Sequence, residues 1–285
     1  MVTVDGSVPT ARVLIDPSRP DLFGREAGRP VRVYDWTPSS QDQSAPLVVV
    51  SHGTGGSGRD MGWLAKPLVD AGFGVLSLDH HGNNYVDGYH PEGFLFGWER
   101  PRDVTFVLDS IPVSGRVGVA GFSLGGYTAA AMAGARLNRA TIEALLSGEI
   151  PLPPIDEFPD ALQRLKVTTP PNRWPTALDR ACSDLRDPRV AAAFVVAPGL
   201  GALMTRASLT DVSIPIEVRW GDADTTNPFD LDVRPLLDHV PDIHGHEVGT
   251  GVRHEHFIEP LTPDRADVRT SVASDAVQFF TERLA

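Results

Sequence analysis

Two stretches constrain this chain more than any others: "PLVVVSHG" at 46–53 and "RVGVAGF" at 116–122. Both are short, apolar and β-branched, with no polar residue on alternate positions. A strand that is apolar on every side chain has both faces covered. Such strands belong to parallel sheets, with helices packed above and below. The rest of the chain keeps that rhythm. "GRDMGWLAKPLVDAG" (58–72) predicts a helix ending at Gly72, and "FGVLSLDHHG" (73–82) a second strand. "ERPRDVTFVLDSI" (99–111) carries Val104, Val107, Leu108 and Ile111 at helical spacing. "SLGGYTAAAMAGARL" (123–137) predicts a helix of small residues. "VAAAFVVAP" (190–198), "IPIEVRWG" (214–221) and, more weakly, "HGHEVG" (244–249) read as strands, and residues 264–285 as a closing helix. "ARVLID" and "RPVRVYDW", near the N-terminus, alternate instead and suit antiparallel edge strands. The expected fold class is therefore α/β, with a mostly parallel central sheet flanked by helices.

A chain of 285 residues suits one large domain, expected to span 1–285. Residues 137–189 interrupt it. They are far longer than an ordinary connection, and seven prolines fall between Gly148 and Thr176. This stretch is expected to be a mostly helical insertion capping the carboxyl edge of the sheet, where open α/β sheets hold their ligands.

The net charge of −12 repels phosphate backbones and anionic lipid, which argues against nucleic-acid and membrane-surface roles. No apolar run is long enough for a transmembrane span, and the N-terminus lacks the pattern of a secretory signal. The only cysteine, Cys182, cannot form an internal disulfide and reads as a small apolar packing residue. A cytoplasmic location is the expectation. The sequence leaves the oligomeric state open.

"GFSLG" at 121–125 carries the chemistry. A serine on a tight turn between strand and helix projects its hydroxyl from the sheet edge, and the glycines let chain segments pass where a Cβ would collide. The N–H of Leu124 opens a helix and so faces a developing oxyanion with the helix dipole behind it. "VVVSHGTGGS" (48–57) ends a strand in a Gly-rich turn whose Thr54 N–H is a second candidate donor; His52 there reads as a loop brace. An acid belongs past a later strand: "GDADTTNP" offers Asp224, with Asp222 bracing the turn. A base belongs after the last strand: "TGVRHEHFIEP" offers His256, ahead of the aromatic Phe257, with His254 as the alternative. The order Ser123, Asp224, His256 is the one expected of a nucleophile-elbow hydrolase. His80, His81 and Asn84 lie past a strand end and are candidate pocket residues; Arg100 and Asp103 read as a network supporting the loops. His239, His244, His246, His254 and His256 fall within 18 residues, but no Cys or Glu stands at a familiar ligand spacing. Neither a metal nor a cofactor is expected.

Taken together, these stretches resemble the α/β-hydrolases, and within them the dienelactone-hydrolase-like group that includes bacterial relatives of platelet-activating-factor acetylhydrolase. "VVVSHGTGG", "LDHHGNN", "ERPRDVTFVLD", "GFSLGGYTA", "VVAPGLG", "WGDADTTNP" and "HEHFIEP" carry the resemblance, in order, over roughly residues 30 to 285. Dienelactone hydrolases themselves use a cysteine where Ser123 stands, and relatives end in Gly-x-Gly-His-Phe where this chain has "GVRHEHF". The resemblance implies a serine carboxylic-ester hydrolase acting through a Ser-His-Asp triad and an acyl-enzyme on a small or medium acyl ester. A lactonase, thioesterase or amide hydrolase would use the same triad, and a non-catalytic binding protein could keep the fold.

Overall fold

The computed structural model describes residues 8–37, 45–152 and 154–284. These described residues form ten strands: β1 (Thr10–Asp16), β2 (Arg29–Asp35), β3 (Leu47–Ser51), β4 (Gly74–Asp79), β5 (Asn83–Asn84), β6 (Gly88–Tyr89), β7 (Val117–Phe122), β8 (Val190–Val196), β9 (Ile216–Trp220) and β10 (Ile243–Glu247). Eight of them make one sheet in the order β1-β2-β4-β3-β7-β8-β9-β10. From β4 to β10 every neighbour is parallel, and β2 runs antiparallel to both β1 and β4. The alternating N-terminal segments thus are antiparallel, but only β1 is an edge. β2 carries Val31 and Val33 fully buried beside β4.

The continuous apolar strands feed two separate cores, because successive side chains leave a strand on opposite faces. Val49, Leu76, Val119 and Val195 pack on one face, while Val48, Val75, Ala120 and Phe194 pack on the other. Among the described residues ten helices surround the sheet: α1 (Gly62–Asp70), α2 (Pro91–Leu95), α3 (Glu99–Asp109), α4 (Leu124–Ala133), α5 (Arg139–Ser147), α6 (Ala161–Thr168), α7 (Trp174–Ala181), α8 (Arg206–Thr210), α9 (Arg234–His239) and α10 (Ala266–Leu284). α1 and α10 cover the second core through Leu64, Leu68, Ala273 and Phe280. α3 and α4 cover the first through Val104, Leu108 and Met132. α4 is buried on every side, which explains its run of glycine and alanine. α1 starts later than its periodicity suggests: Gly58–Met61 is a 3₁₀ turn capped by Ser57.

Residues 137–189 contain α5, α6 and α7, separated by proline-bearing turns. They reach the body of the molecule through aromatic and charged contacts. Phe158 stands edge-on to Phe94 at 5.3 Å and stacks near Tyr89. Glu92 accepts hydrogen bonds from Thr169 (3.1 Å) and Arg173 (3.2 Å). Cys182 ends α7, half-buried against the core. Among the described residues no helix is long and apolar enough to cross a membrane.

Candidate active site

All of the parallel strands end on one side, and the polar residues singled out above follow those ends. Ser123 stands between β7 and α4 with φ 58° and ψ −120°, a conformation that a residue with a Cβ adopts only at a cost of about 1–3 kcal/mol. The surrounding chain leaves no alternative. A Cβ on Gly121 would lie 2.0 Å from the Gly125 carbonyl oxygen, and one on Gly125 would lie 2.1 Å from the Ser51 carbonyl oxygen. The Ser123 N–H donates to Val196 O at 2.9 Å, and its own carbonyl accepts from Gly126 and Gly199. Among the described residues the other non-glycine residues with positive φ, Ala197 and Leu200, sit just past the end of β8, so the strained backbone described is gathered around this serine.

The Ser123 hydroxyl is 3.0 Å from His254 Nε2, and His254 Nδ1 is 2.7 Å from Asp224 Oδ2. Contact with a carboxylate sets the ring proton on Nδ1, leaving Nε2 to accept from the serine. Asp224 is itself held: its Oδ1 accepts the N–H groups of Thr226 (2.9 Å) and Asn227 (2.8 Å). The His254 ring lies 4.8 Å from that of Phe122, which in turn packs on Phe257.

The structure therefore places His254, not His256, between Ser123 and Asp224. The two histidines share a 3₁₀ turn, His254–Phe257. At three residues per turn, positions two apart point in different directions. His256 Nδ1 accepts from the Arg253 N–H (3.1 Å) and faces Arg265 Nη1 at 2.9 Å. Burial, Arg265 and Arg253 push its pKa below the usual histidine value. Phe257 does not anchor His256; it backs the ring that supports His254. Asp222 braces the loop through the Val252 N–H at 2.8 Å.

The loop carrying Thr54 is pinned beside the serine. A Cβ on Gly53 would come within 3.3 Å of Ser123 Cβ. Arg100 Nη2 donates to His52 O at 2.6 Å, Gly55 N–H donates to Asn83 Oδ1 at 2.6 Å, and Tyr89 Oη donates to Gly55 O at 3.0 Å. His52 braces this loop, its Nδ1 2.6 Å from Gly53 O and its Nε2 accepting from His80 N–H. Leu124 is the first residue of α4, so its N–H has no acceptor within the helix.

His80, His81 and Asn84 are buried structural residues rather than walls of an open pocket. All three are 2% exposed or less. Asn84 shapes the β5–β6 turn through the N–H groups of Val86 and Asp87. His81 Nε2 is 2.8 Å from Asp21. His80 Nε2 is 2.9 Å from Ser51 Oγ, and its Nδ1 is 3.1 Å from Asp103 Oδ2. Asp103 also holds Arg29 (2.7 Å) and Arg19 (2.7 Å). Burial and the positive charge of Arg100 push His80 down to about 3, and burial and Arg29 push His81 down to about 4. Burial raises the Asp103 pKa, but Arg29 and Arg19 outweigh it and hold the carboxyl well below its usual range.

Two site residues carried no motif of their own. Asn227 Nδ2 donates to Ala197 O at 2.8 Å and reaches Ser123 Oγ at 3.4 Å. Its position three residues after Asp224 and just before Pro228 is the usable signal. Asp232 accepts the Gly201 N–H at 2.9 Å. Burial and then the charge of Asp224 raise its carboxyl to about 6. Among the described residues no three His, Cys, Asp or Glu side chains are grouped as a metal centre requires.

No family model matches the chain, and no curated protein matches it. Solved structures do. An esterase 2 from Thermogutta terrifontis aligns at TM-score 0.58 and 16% identity, covering 98% of this chain and 97% of its own. An alpha-beta serine hydrolase homologue from Coxiella burnetii aligns at TM-score 0.53 and 16% identity, with 93% and 96% covered. An acylaminoacyl peptidase from Pyrococcus horikoshii aligns at TM-score 0.57 and 13% identity over 97% of this chain and 42% of the peptidase. The sheet order, the elbow and these likenesses agree: the chain has the α/β-hydrolase fold.

Proposed function

We propose that the protein is a serine hydrolase of carboxylic esters with small or medium acyl groups, in the carboxylesterase class. The observation that carries this reading is the hydrogen-bonded line Asp224–His254–Ser123, ending on a strained elbow at the carboxyl edge of the sheet. In the proposed reaction Ser123 Oγ attacks the acyl carbon while His254 Nε2 takes its proton. Asp224 keeps the ring in the accepting tautomer and stabilises the imidazolium. The N–H groups of Leu124 and Thr54 receive the negative charge on the acyl oxygen. The tetrahedral adduct collapses, His254 returns the proton to the departing alcohol oxygen, and an acyl-serine remains. A water molecule, deprotonated by His254, attacks that acyl group and releases the acid and the free serine.

The fold likeness to an esterase and to a serine hydrolase homologue supports this reading, as does the resemblance of the motifs to the dienelactone-hydrolase-like group. An amide-hydrolase reading draws support from the acylaminoacyl peptidase likeness. The two separate on one substrate pair, an aryl acetate against the matching anilide. The ester reading expects turnover of the acetate, lost in Ser123→Ala with the melting temperature kept, and no measurable turnover of the anilide, whereas the amide reading expects both to turn over. An active Ser123→Ala variant would sink it.

A further inference from the structure

A cavity of about 370 Å³ lies between the 137–189 stretch and the body of the protein. Arg19, from the loop joining β1 and β2, forms part of its wall, as do Glu92 and Glu99, and Arg173 and Arg180 close it from the other side. None of Ser123, Asp224 and His254 borders it.

The guanidinium groups here have more donors than the neighbouring carboxylates can use. Arg19 is 4% exposed, with Nε on Asp16 (2.6 Å) and Nη1 on Asp103 (2.7 Å), yet its buried Nη2 has no partner among the described residues. Arg180 approaches no closer than 3.9 Å to Glu99, beyond hydrogen-bond range. Glu99 already accepts two bonds from Arg102, at 2.8 Å and 2.6 Å. Arg173 shares Glu92 with Thr169 and remains half-exposed. Arg173 and Arg180, both half-exposed, keep accessible donors that the neighbouring carboxylates do not take up, and the buried Arg19 adds positive charge behind them. A forked guanidinium matches a carboxylate in shape and charge. Leu22 and Phe96 give the same cavity an apolar wall. The two glutamates set against the arginines disfavour a doubly charged ligand.

We propose that this cavity is a binding site for a small organic carboxylate, its head held by Arg173 and Arg180 with the charge of Arg19 behind them, and its hydrocarbon part lying along Leu22 and Phe96. The volume falls in the range of ordinary small-molecule sites. Because Arg173 and Arg180 belong to the 137–189 stretch and Arg19 does not, a bound carboxylate joins the two. The site stands independently of the reaction proposed for Ser123.

Hexanoate is a suitable probe, titrated by calorimetry into the wild-type protein, Ser123→Ala and the double variant Arg173→Gln, Arg180→Gln. Hexanol and inorganic phosphate serve as controls. Both substituted arginines are half-exposed, and melting curves check that the double variant folds. The expected result is saturable hexanoate binding in wild type, unchanged in Ser123→Ala and weakened about tenfold or more in the double variant. Hexanol is expected not to bind. The absence of saturable hexanoate binding, equal affinity in the folded double variant, or phosphate binding more tightly than hexanoate would each overturn the proposal. Turnover by Ser123 is measured separately, so failure of the ester reading leaves this outcome legible.

Discussion

Among the described residues two Ser–His–Asp lines have nearly the same dimensions. In one, Ser123 Oγ and His254 Nε2 are 3.0 Å apart, with Asp224 2.7 Å beyond. In the other, Ser51 Oγ and His80 Nε2 are 2.9 Å apart, with Asp103 3.1 Å beyond. Distances alone do not tell them apart; their surroundings do. Ser51 is the last residue of β3, in regular extended backbone with its side chain enclosed, and Asp103 is saturated by Arg29 and Arg19. Ser123 stands on a turn that holds φ at 58°, with a helix N-terminus beside it. In the reaction proposed above the first line reacts, and the second ties loops together through buried contacts. They touch: the Gly125 position that permits the elbow is closed off by the Ser51 carbonyl.

Substitutions at matched positions test that division. The largest effect is expected at His254. His254→Ala should lower kcat/KM for an aryl acetate on the order of 10⁴-fold. His256→Ala should stay within a few-fold of wild type, and equal losses in both would contradict the assignment. Next, Asp103→Ala should lower stability by about 3–5 kcal/mol, because Arg19 and Arg29 lose their buried partner. Asp224→Ala should instead cost activity far more than stability. Denaturant unfolding and ester turnover, measured on both variants, read the two effects apart.

The buried line also sets a pH dependence. His80 and His81 are held at about 3 and about 4, and burial followed by the charge of Arg100 puts His52 well below the ordinary value too. Between the usual histidine pKa of ~6.5 and those values, the unfolded chain binds protons that the folded chain refuses. Stability is therefore complete above pH ~6.5 and falls as the pH drops towards 3. Unfolding free energies at a series of pH values should show this slope, and His80→Gln should flatten it. A slope unchanged in His80→Gln would remove His80 from the account. A smaller loss than at His254 is expected at Asn227, whose amide reaches Ser123 at 3.4 Å while tying down Ala197. Asn227→Ala should reduce kcat/KM about tenfold, the worth of one hydrogen bond at the site, with little change in unfolding.

How much of this was legible in the sequence follows the same division. The sheet and the elbow were legible because their causes are local: uninterrupted apolar strands mean two covered faces, and a Cβ on either glycine flanking Ser123 would meet backbone atoms at about 2 Å. Asp224 could be found for a similar reason, since its own carboxylate closes the turn by accepting the N–H groups two and three residues on. The choice between His254 and His256 was not local. It is decided by Phe122 from β7 under one ring and Arg265 from beyond the turn against the other. His80 and His81 were read as pocket residues because they follow a strand end. What encloses them comes from elsewhere: Asp21 of the β1–β2 loop against His81, and Asp103 of α3 against His80. The second Ser–His–Asp line carries no sequence signal of its own, because its members come from β3, the end of β4 and α3, with no shared motif.

Reaction with an aryl phosphonate ester, followed by peptide mapping, tests the division most directly. The account predicts one adduct per chain, on Ser123, with Ser51 unmodified and the adduct absent from His254→Ala over the same time. No adduct on the folded wild-type protein, or an adduct on Ser51, would contradict it.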